Sequence, residues 1–151
     1  MPRDADDLPE YGRVARTLLN SITIDAANPR FRLRSITKSM VGDQVYKVGR
    51  TTGMTTGRVT ATCVTVNVAG TNFTQLCQDI VENPSQVIVA GGDSGSPVFA
   101  TKLGFDATLR GLLWGGSGDG ELWVHSPVSS VVRELGKMRI VDPGSVLSPT
   151  P

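Results

Sequence analysis

The sequence predicts an all-β protein: a single antiparallel barrel of six to eight short strands, followed by one short C-terminal helix. Three observations point there. Apolar and polar residues alternate with period two in short runs such as Phe31-Arg32-Leu33-Arg34-Ser35-Ile36 and Gln44-Val45-Tyr46-Lys47-Val48, which marks half-buried strands. The 17 glycines cluster between such runs, where turns need them. A stretch with apolar positions at helical spacing, Val128, Val131, Val132 and Leu135, comes only after the strands, so no strand–helix–strand alternation is present to build a parallel sheet.

At 151 residues the chain has the size of one domain with one sizeable core. A net charge of +1 with 19% charged residues gives no electrostatic footprint for nucleic acid or an anionic membrane. No run approaches the ~18 apolar residues of a membrane span. The segment Met1-Pro2-Arg3-Asp4-Ala5-Asp6-Asp7 has no apolar signal-peptide core. The expectation is therefore a protein kept inside the cell, or one whose export signal lies upstream.

Taken in order, residues 1–12 are polar without an apolar period and are expected to be a loose end. Arg13 to Ile24 is mixed, and Asp25 to Pro29 breaks it with turn residues. Residues 1–29 are thus read as an N-terminal extension and connection, 30–138 as the barrel with its terminal helix, and 139–151 as a flexible tail. Gly42-Asp43 makes a turn that is expected to fold Phe31–Ile36 and Gln44–Val48 into a hairpin. The glycine-rich run Gly49-Arg50-Thr51-Thr52-Gly53-Met54-Thr55-Thr56-Gly57 leads into a strand over Arg58–Val68, and Phe73–Val81 returns. If that hairpin is centred on Gly70, paired residue numbers sum to 140. Cys63 and Cys77, the only cysteines, then face each other at disulfide range. A disulfide and two buried thiols both fit this placement. With two cysteines and one histidine, no metal-ligand set is present, and no cofactor is expected.

Gln86 to Ala90 runs into a glycine-rich loop, after which Pro97–Ala100, Leu109–Trp114 and Glu121–His125 are short strands. Ser126 is expected to cap the terminal helix, with Pro127 at its first position and Gly136 at its C-cap.

The chemistry sits in Gly91-Gly92-Asp93-Ser94-Gly95-Ser96-Pro97-Val98-Phe99. A serine hydroxyl is a poor nucleophile at neutral pH, so flanking glycines make sense where the backbone must turn sharply, expose Oγ and aim N–H groups at an incoming oxygen. Ser94 is the leading catalytic candidate. Gly-Asp-Ser-Gly-Ser-Pro followed by a β-type run resembles the nucleophile segment of trypsin-like (chymotrypsin-fold) serine peptidases of the secreted bacterial type. The Gly49–Gly57 run with the strand after it is a second match.

The resemblance covers roughly residues 12–137 and implies the second, C-terminal barrel of that fold in Greek-key order. It implies a serine endopeptidase acting on a peptide or protein substrate, with Ser94 as nucleophile and the amides of Gly92 and Ser94 as oxyanion hole. Asp93 becomes a buried structural carboxylate. Trp114, Gly115 and Gly116 match the strand that pairs with substrate backbone and walls the specificity pocket, whose floor falls near Ile88 and Val89. Secretion, implied likewise, favours a Cys63–Cys77 disulfide. The family keeps its histidine base and orienting carboxylate on the first barrel. Here the single histidine, His125, follows the serine and is read as structural, and no acid is assigned to the triad. The isolated chain is therefore expected to be nearly inactive, with a complementary N-terminal barrel or self-association as the partner. The alternative is a pseudo-enzyme module that binds peptides.

Overall fold

The computed structural model describes residues 12–101 and 104–136; the loose end expected before Gly12 and the tail expected over 139–151 lie outside them. The alternating runs become eight strands. These are β1 (Arg13–Ala15), β2 (Arg30–Ile36), β3 (Gln44–Gly49), β4 (Gly53–Asn67), β5 (Thr74–Glu82), β6 (Pro97–Thr101), β7 (Asp106–Gly116) and β8 (Leu122–Pro127), followed by the helix α1 (Val128–Leu135).

The sheet runs β1-β2-β7-β6-β3-β4-β5-β8, and β8 also pairs with β7. That second pairing closes β3, β4, β5, β8, β7 and β6 into a six-stranded antiparallel barrel. The order is a Greek key, because β6, β7 and β8 follow one another while β5 lies beside β8 and reaches β6 through a long connection. Outside the closed barrel, β2 pairs in parallel with the first half of β7 and antiparallel with β1.

Two cores result. Inside the barrel pack Val45, Val59, Val81, Ile88, Val98, Leu113 and the fully buried Trp123. The second lies between β1–β2 and the outer surface of β3 and β6, where Phe31 meets Phe99 at a ring-centroid distance of 5.1 Å. Successive residues of β3 and β6 therefore serve different cores: Val45 and Val98 point into the barrel, while Tyr46 and Phe99 belong to the outer cluster.

The expected hairpin between Phe31–Ile36 and Gln44–Val48 does not form. Both edges of β3 are taken, by β4 and β6, and β2 finds its partners in β1 and β7. Alternation in the sequence reveals which face of a strand is buried and says nothing of its partner. The helix cap also differs from expectation. Pro127, whose side chain has no acceptor to offer, occupies the N-cap, and the Ser126 hydroxyl donates to Gln78 Oε1 at 2.8 Å. Gly136 is the C-cap as read from the sequence.

Cys63 and Cys77 form a disulfide. The assumed register holds only at the barrel end of the hairpin, at Arg58↔Glu82 and Val59↔Val81. Strand β4 gains one residue between Val59 and Ala61 and another between Ala61 and Val64, and between Gln78 and Gln75 strand β5 gains one back. The cysteines lie in the last two of these bulges, each with left-handed backbone, φ 54° at Cys63 and 55° at Cys77. The bond closes a loop with a sequence separation of 14, which is worth about 3 kcal/mol in the chain-entropy picture. We expect the Cys63→Ser/Cys77→Ser double variant to melt roughly 6–12 °C below wild type in a calorimetric scan.

Candidate active site

The β5–β6 connection carries the Gly91–Gly95 turn. Its shape is set locally: Asp93 N donates to Ala90 O and Ser96 N to Asp93 O, both at 3.1 Å. Gly92 takes φ +98°, and a Cβ there would lie 2.6 Å from the Thr51 hydroxyl, so the position admits only glycine. The turn sends neighbouring side chains in opposite directions. Asp93 is 1% exposed, whereas Ser94 is exposed.

Inside, Asp93 is a hub. Its Oδ1 accepts from the amides of Thr51 (2.8 Å) and Thr52 (3.2 Å), and its Oδ2 from the Thr52 hydroxyl (2.6 Å), the Lys47 ammonium (2.9 Å) and the Ala90 amide (3.1 Å). Lys47 is fully buried and also donates to the Gly53 carbonyl at 3.2 Å and to the Thr52 hydroxyl. The Thr51 hydroxyl donates to Gly91 O at 2.8 Å. Burial pushes the Asp93 carboxyl up, but the Thr52 hydroxyl, Lys47 and the Thr51 and Thr52 amides outweigh it and hold it at about 2, against 3.8 for a free carboxyl. Burial draws Lys47 below the ordinary lysine value, opposed by the hydrogen bond and charge of Asp93. The Gly49–Gly57 run thus supplies the donors that tie down the serine turn.

Outside, the Ser94 hydroxyl donates to the Trp114 carbonyl at 3.3 Å. The amides of Gly92 and Ser94 donate to no protein acceptor among the described residues. Ser94 stands at the mouth of a cleft of about 240 Å³, with Ala90 and Gly91 on one side and Trp114, Gly115 and Gly116 on the other. The ladder between β6 and β7 ends at Pro97↔Leu112, so Trp114–Gly116 keeps one strand edge without a strand partner among the described residues, while the other pairs with β8. The Trp114 indole is fixed by Nε1 donating to Gln78 Oε1 at 2.7 Å.

The sequence reading treats Gly115 and Gly116 alike, as room for a side chain. They differ in the structure. A Cβ on Gly115 would meet nothing within 4 Å, whereas one on Gly116 would lie 2.5 Å from Val89 Cγ1. Gly115 opens the cleft, and Gly116 lets Val89 pack in behind it. Ile88 is fully buried beneath, its carbonyl accepting from Thr55 Oγ1 at 2.7 Å.

His125 is fully buried on β8, with Nε2 3.5 Å from Asp79 Oδ2. Neither ring nitrogen has a hydrogen-bond partner among the described residues, and the ring does not line the Ser94 cleft. Asp25, on a turn near the chain start, pairs with Arg16 at 3.4 Å. Lys47, Thr51, Thr52 and Gln78 escaped the sequence reading. Thr51 and Thr52 stood in a segment singled out for its glycines, Lys47 in the alternating run before it, and nothing local to Gln78 marks it.

Replacing Lys47 by methionine keeps its length and leaves Asp93 buried without its cation. We expect the variant to lose about 3–5 kcal/mol in urea denaturation. Because Asp93 binds its proton more weakly folded than unfolded, its contribution is present above pH 3.8 and fades as pH falls toward about 2. Melting curves through that window should show a smaller pH slope for Asp93→Asn than for wild type.

The family model of the Nal1 C-terminal domain matches residues 17–130. No curated protein matches the chain significantly in sequence. Among solved structures, the chain is similar to a glutamic-acid-specific serine protease that uses a histidine triad in substrate binding, at 28% identity and a TM-score of 0.60 over 76% of this chain and 57% of that one. It is similar also to Cellulomonas bogoriensis chymotrypsin, at 25% identity and a TM-score of 0.62 over 82% of this chain and 63% of that one. Nocardiopsis protease, at 21% identity and a TM-score of 0.62 over 82% and 57%, shares the fold. The chain thus spans 57–63% of the length of these structures, and the part it matches is the C-terminal barrel of the chymotrypsin fold. With three-quarters of its length covered by the family model, the chain belongs to the Nal1 C-terminal domain family, built on the C-terminal barrel of trypsin-like serine proteases.

Proposed function

We propose that this chain is the nucleophile-bearing half of a serine endopeptidase, with Ser94 as nucleophile. The observation that carries the reading is the exposed Ser94 hydroxyl at the mouth of a cleft, on a turn whose Gly92 and Ser94 amides have no protein acceptor among the described residues. In the reaction, Oγ attacks the carbonyl carbon of a peptide bond, and the oxygen that gains charge accepts from those two amides. One such donor contributes about 3–4 kcal/mol to the transition state. The open edge of Trp114–Gly116 pairs with substrate backbone, as an added strand does at any free sheet edge. The serine proton passes to a histidine oriented by a carboxylate, then to the leaving amine. We assign both groups to a complementary first barrel. The exposed apolar side chains Leu18, Leu19, Ile22 and Ile24, on one segment bridged to Met54, are the face it covers.

Without that barrel, Ser94 donates to the Trp114 carbonyl, which cannot take its proton, and His125 is held in the barrel wall. Losing the triad histidine costs about 10⁶ in turnover, so the chain alone is nearly inactive. The same observation favours a second reading, a pseudo-enzyme that binds peptides along the Trp114–Gly116 edge. The histidine triad of the glutamate-specific relative is not carried over, because this chain has His125 alone. A disulfide between Cys63 and Cys77 fits work in an oxidising, extracellular setting.

The test is labelling with a fluorophosphonate serine probe. We expect this chain alone to label no faster than Ser94→Ala, and to label at Ser94 once joined to a histidine-bearing first barrel from its own gene product. Rapid Ser94-dependent labelling by the chain alone overturns the missing base. No labelling in the joined form leaves the peptide-binding reading.

A further inference from the structure

Among the described residues, the walls of the Ser94 cleft carry no ionisable side chain: around Ser94 they are glycine, alanine, valine, leucine, tryptophan and the hydroxyl of Ser117. The back is closed by valine. Val89 occupies the space in front of Gly116, and a Cβ on Gly120 would lie 2.9 Å from Val87 Cγ1 and 2.8 Å from the Val89 carbonyl. Both glycines therefore serve packing within the wall, whereas Gly91 and Gly115 leave open space. Beneath, Ile88 and Leu113 are 0% and 2% exposed. The charges of the turn are turned inward and neutralised, since Asp93 and Lys47 pair in the barrel interior. His125 does not line the cleft. Asp119, which accepts from the Ser117 hydroxyl at 2.5 Å, stands outside the lining, so a charged side chain entering here would give up water and meet no charged group in the walls.

We infer that the cleft takes an uncharged side chain from the residue whose carbonyl Ser94 faces, and that Val89 is the residue that determines this preference. The inference rests on the reading of Ser94 and Trp114–Gly116 as a peptide site. A cleft of about 240 Å³ holds a leucine or a phenylalanine, since an apolar cavity of about 150 Å³ already accepts benzene. Peptides presenting lysine, arginine, aspartate or glutamate at that position are excluded by desolvation rather than by size.

Binding of product-like peptides tests this without requiring turnover. The isotope-labelled chain is titrated with tetrapeptide acids identical except for a C-terminal Leu, Phe, Lys or Glu, and the amide signals of Ser94, Gly115 and Gly116 are followed by NMR. The Leu and Phe peptides should shift these signals, with the Lys and Glu peptides roughly tenfold or more weaker, as expected for a charge desolvated without a charged partner. Val89→Asp should invert the order in favour of the Lys peptide. If that variant does not fold, the wild-type series decides by itself. Equal or tighter binding of the charged peptides overturns the inference and leaves the peptide site standing. If no peptide moves these amides, the reading of the site fails and the inference with it.

Discussion

The turn that presents Ser94 is shaped by a carboxylate pointing the other way. Asp93 enters the barrel and is met by donors from β3, the β3–β4 turn and its own loop: Lys47, Thr51, Thr52 and Ala90. A buried ion pair is weak evidence for stability, because desolvation consumes most of the Coulombic gain, yet removing one partner is costly. Such a pair penalises every loop conformation that leaves Asp93 short of donors. Since Asp93 and Ser94 are adjacent, fixing the first fixes the exit direction of the second. The buried Lys47 thus acts on the exposed hydroxyl through the chain and not through contact, and a hub with this many donors leaves few alternatives for the Gly92 and Ser94 amides.

Strand β7 converts this anchored turn into a cleft. On one side it pairs with β2 and then β8, and on the other with β6 as far as Leu112. Where β6 gives way to the serine turn, Gly95 N and Leu113 N exchange hydrogen bonds with Leu113 O and Ser96 O at 2.8 and 3.0 Å. The serine turn is therefore sewn to β7 one residue before Trp114, and the edge beyond is left open beside Ser94. Barrel closure by β8 holds the far edge, so the open edge is rigid where a lone strand would fray. The double burial of β3 and β6 supports both, since Val98 and Phe99 lock β6 from its two faces.

What the sequence disclosed follows the range of the interactions involved. The serine turn was legible because its demands are local: a left-handed Gly92, a short side chain at Ser94 and an acid between them. The bond between Cys63 and Cys77 was legible because one hairpin brings them together, but the bulges that carry them were not, since nothing near Ala61 or Gln75 announces an inserted residue. The partners of β2 were illegible because they lie across the fold on β7, and Phe31 signals burial without saying against what. Lys47 reads as the polar member of an alternating strand, yet it is buried because Asp93, 46 residues away, needs a cation. Ser126 looks like a helix cap, but Pro127 takes that position and the Ser126 hydroxyl bonds Gln78. The separate tasks of Gly115 and Gly116 depend on Val89, which no local pattern links to them.

The proton of Ser94 sets the limit of what this barrel does unaided. A carbonyl such as that of Trp114 accepts a hydrogen bond but is far too weak a base to accept a proton, so the contact orients Oγ without activating it. His125 has the right chemistry and the wrong place. Its ring is sealed between β5 and β7, with Asp79 as its nearest carboxylate, and moving it to Ser94 would mean opening the barrel. The proposed peptide binding asks less of the molecule: among the described residues, an open edge, an uncharged cleft and two amides without an acceptor stand beside Ser94. In the proposed reading, recognition and oxyanion stabilisation belong to this half of the fold and proton transfer to another, and the two are separable because the Asp93 hub organises the first without reference to the second.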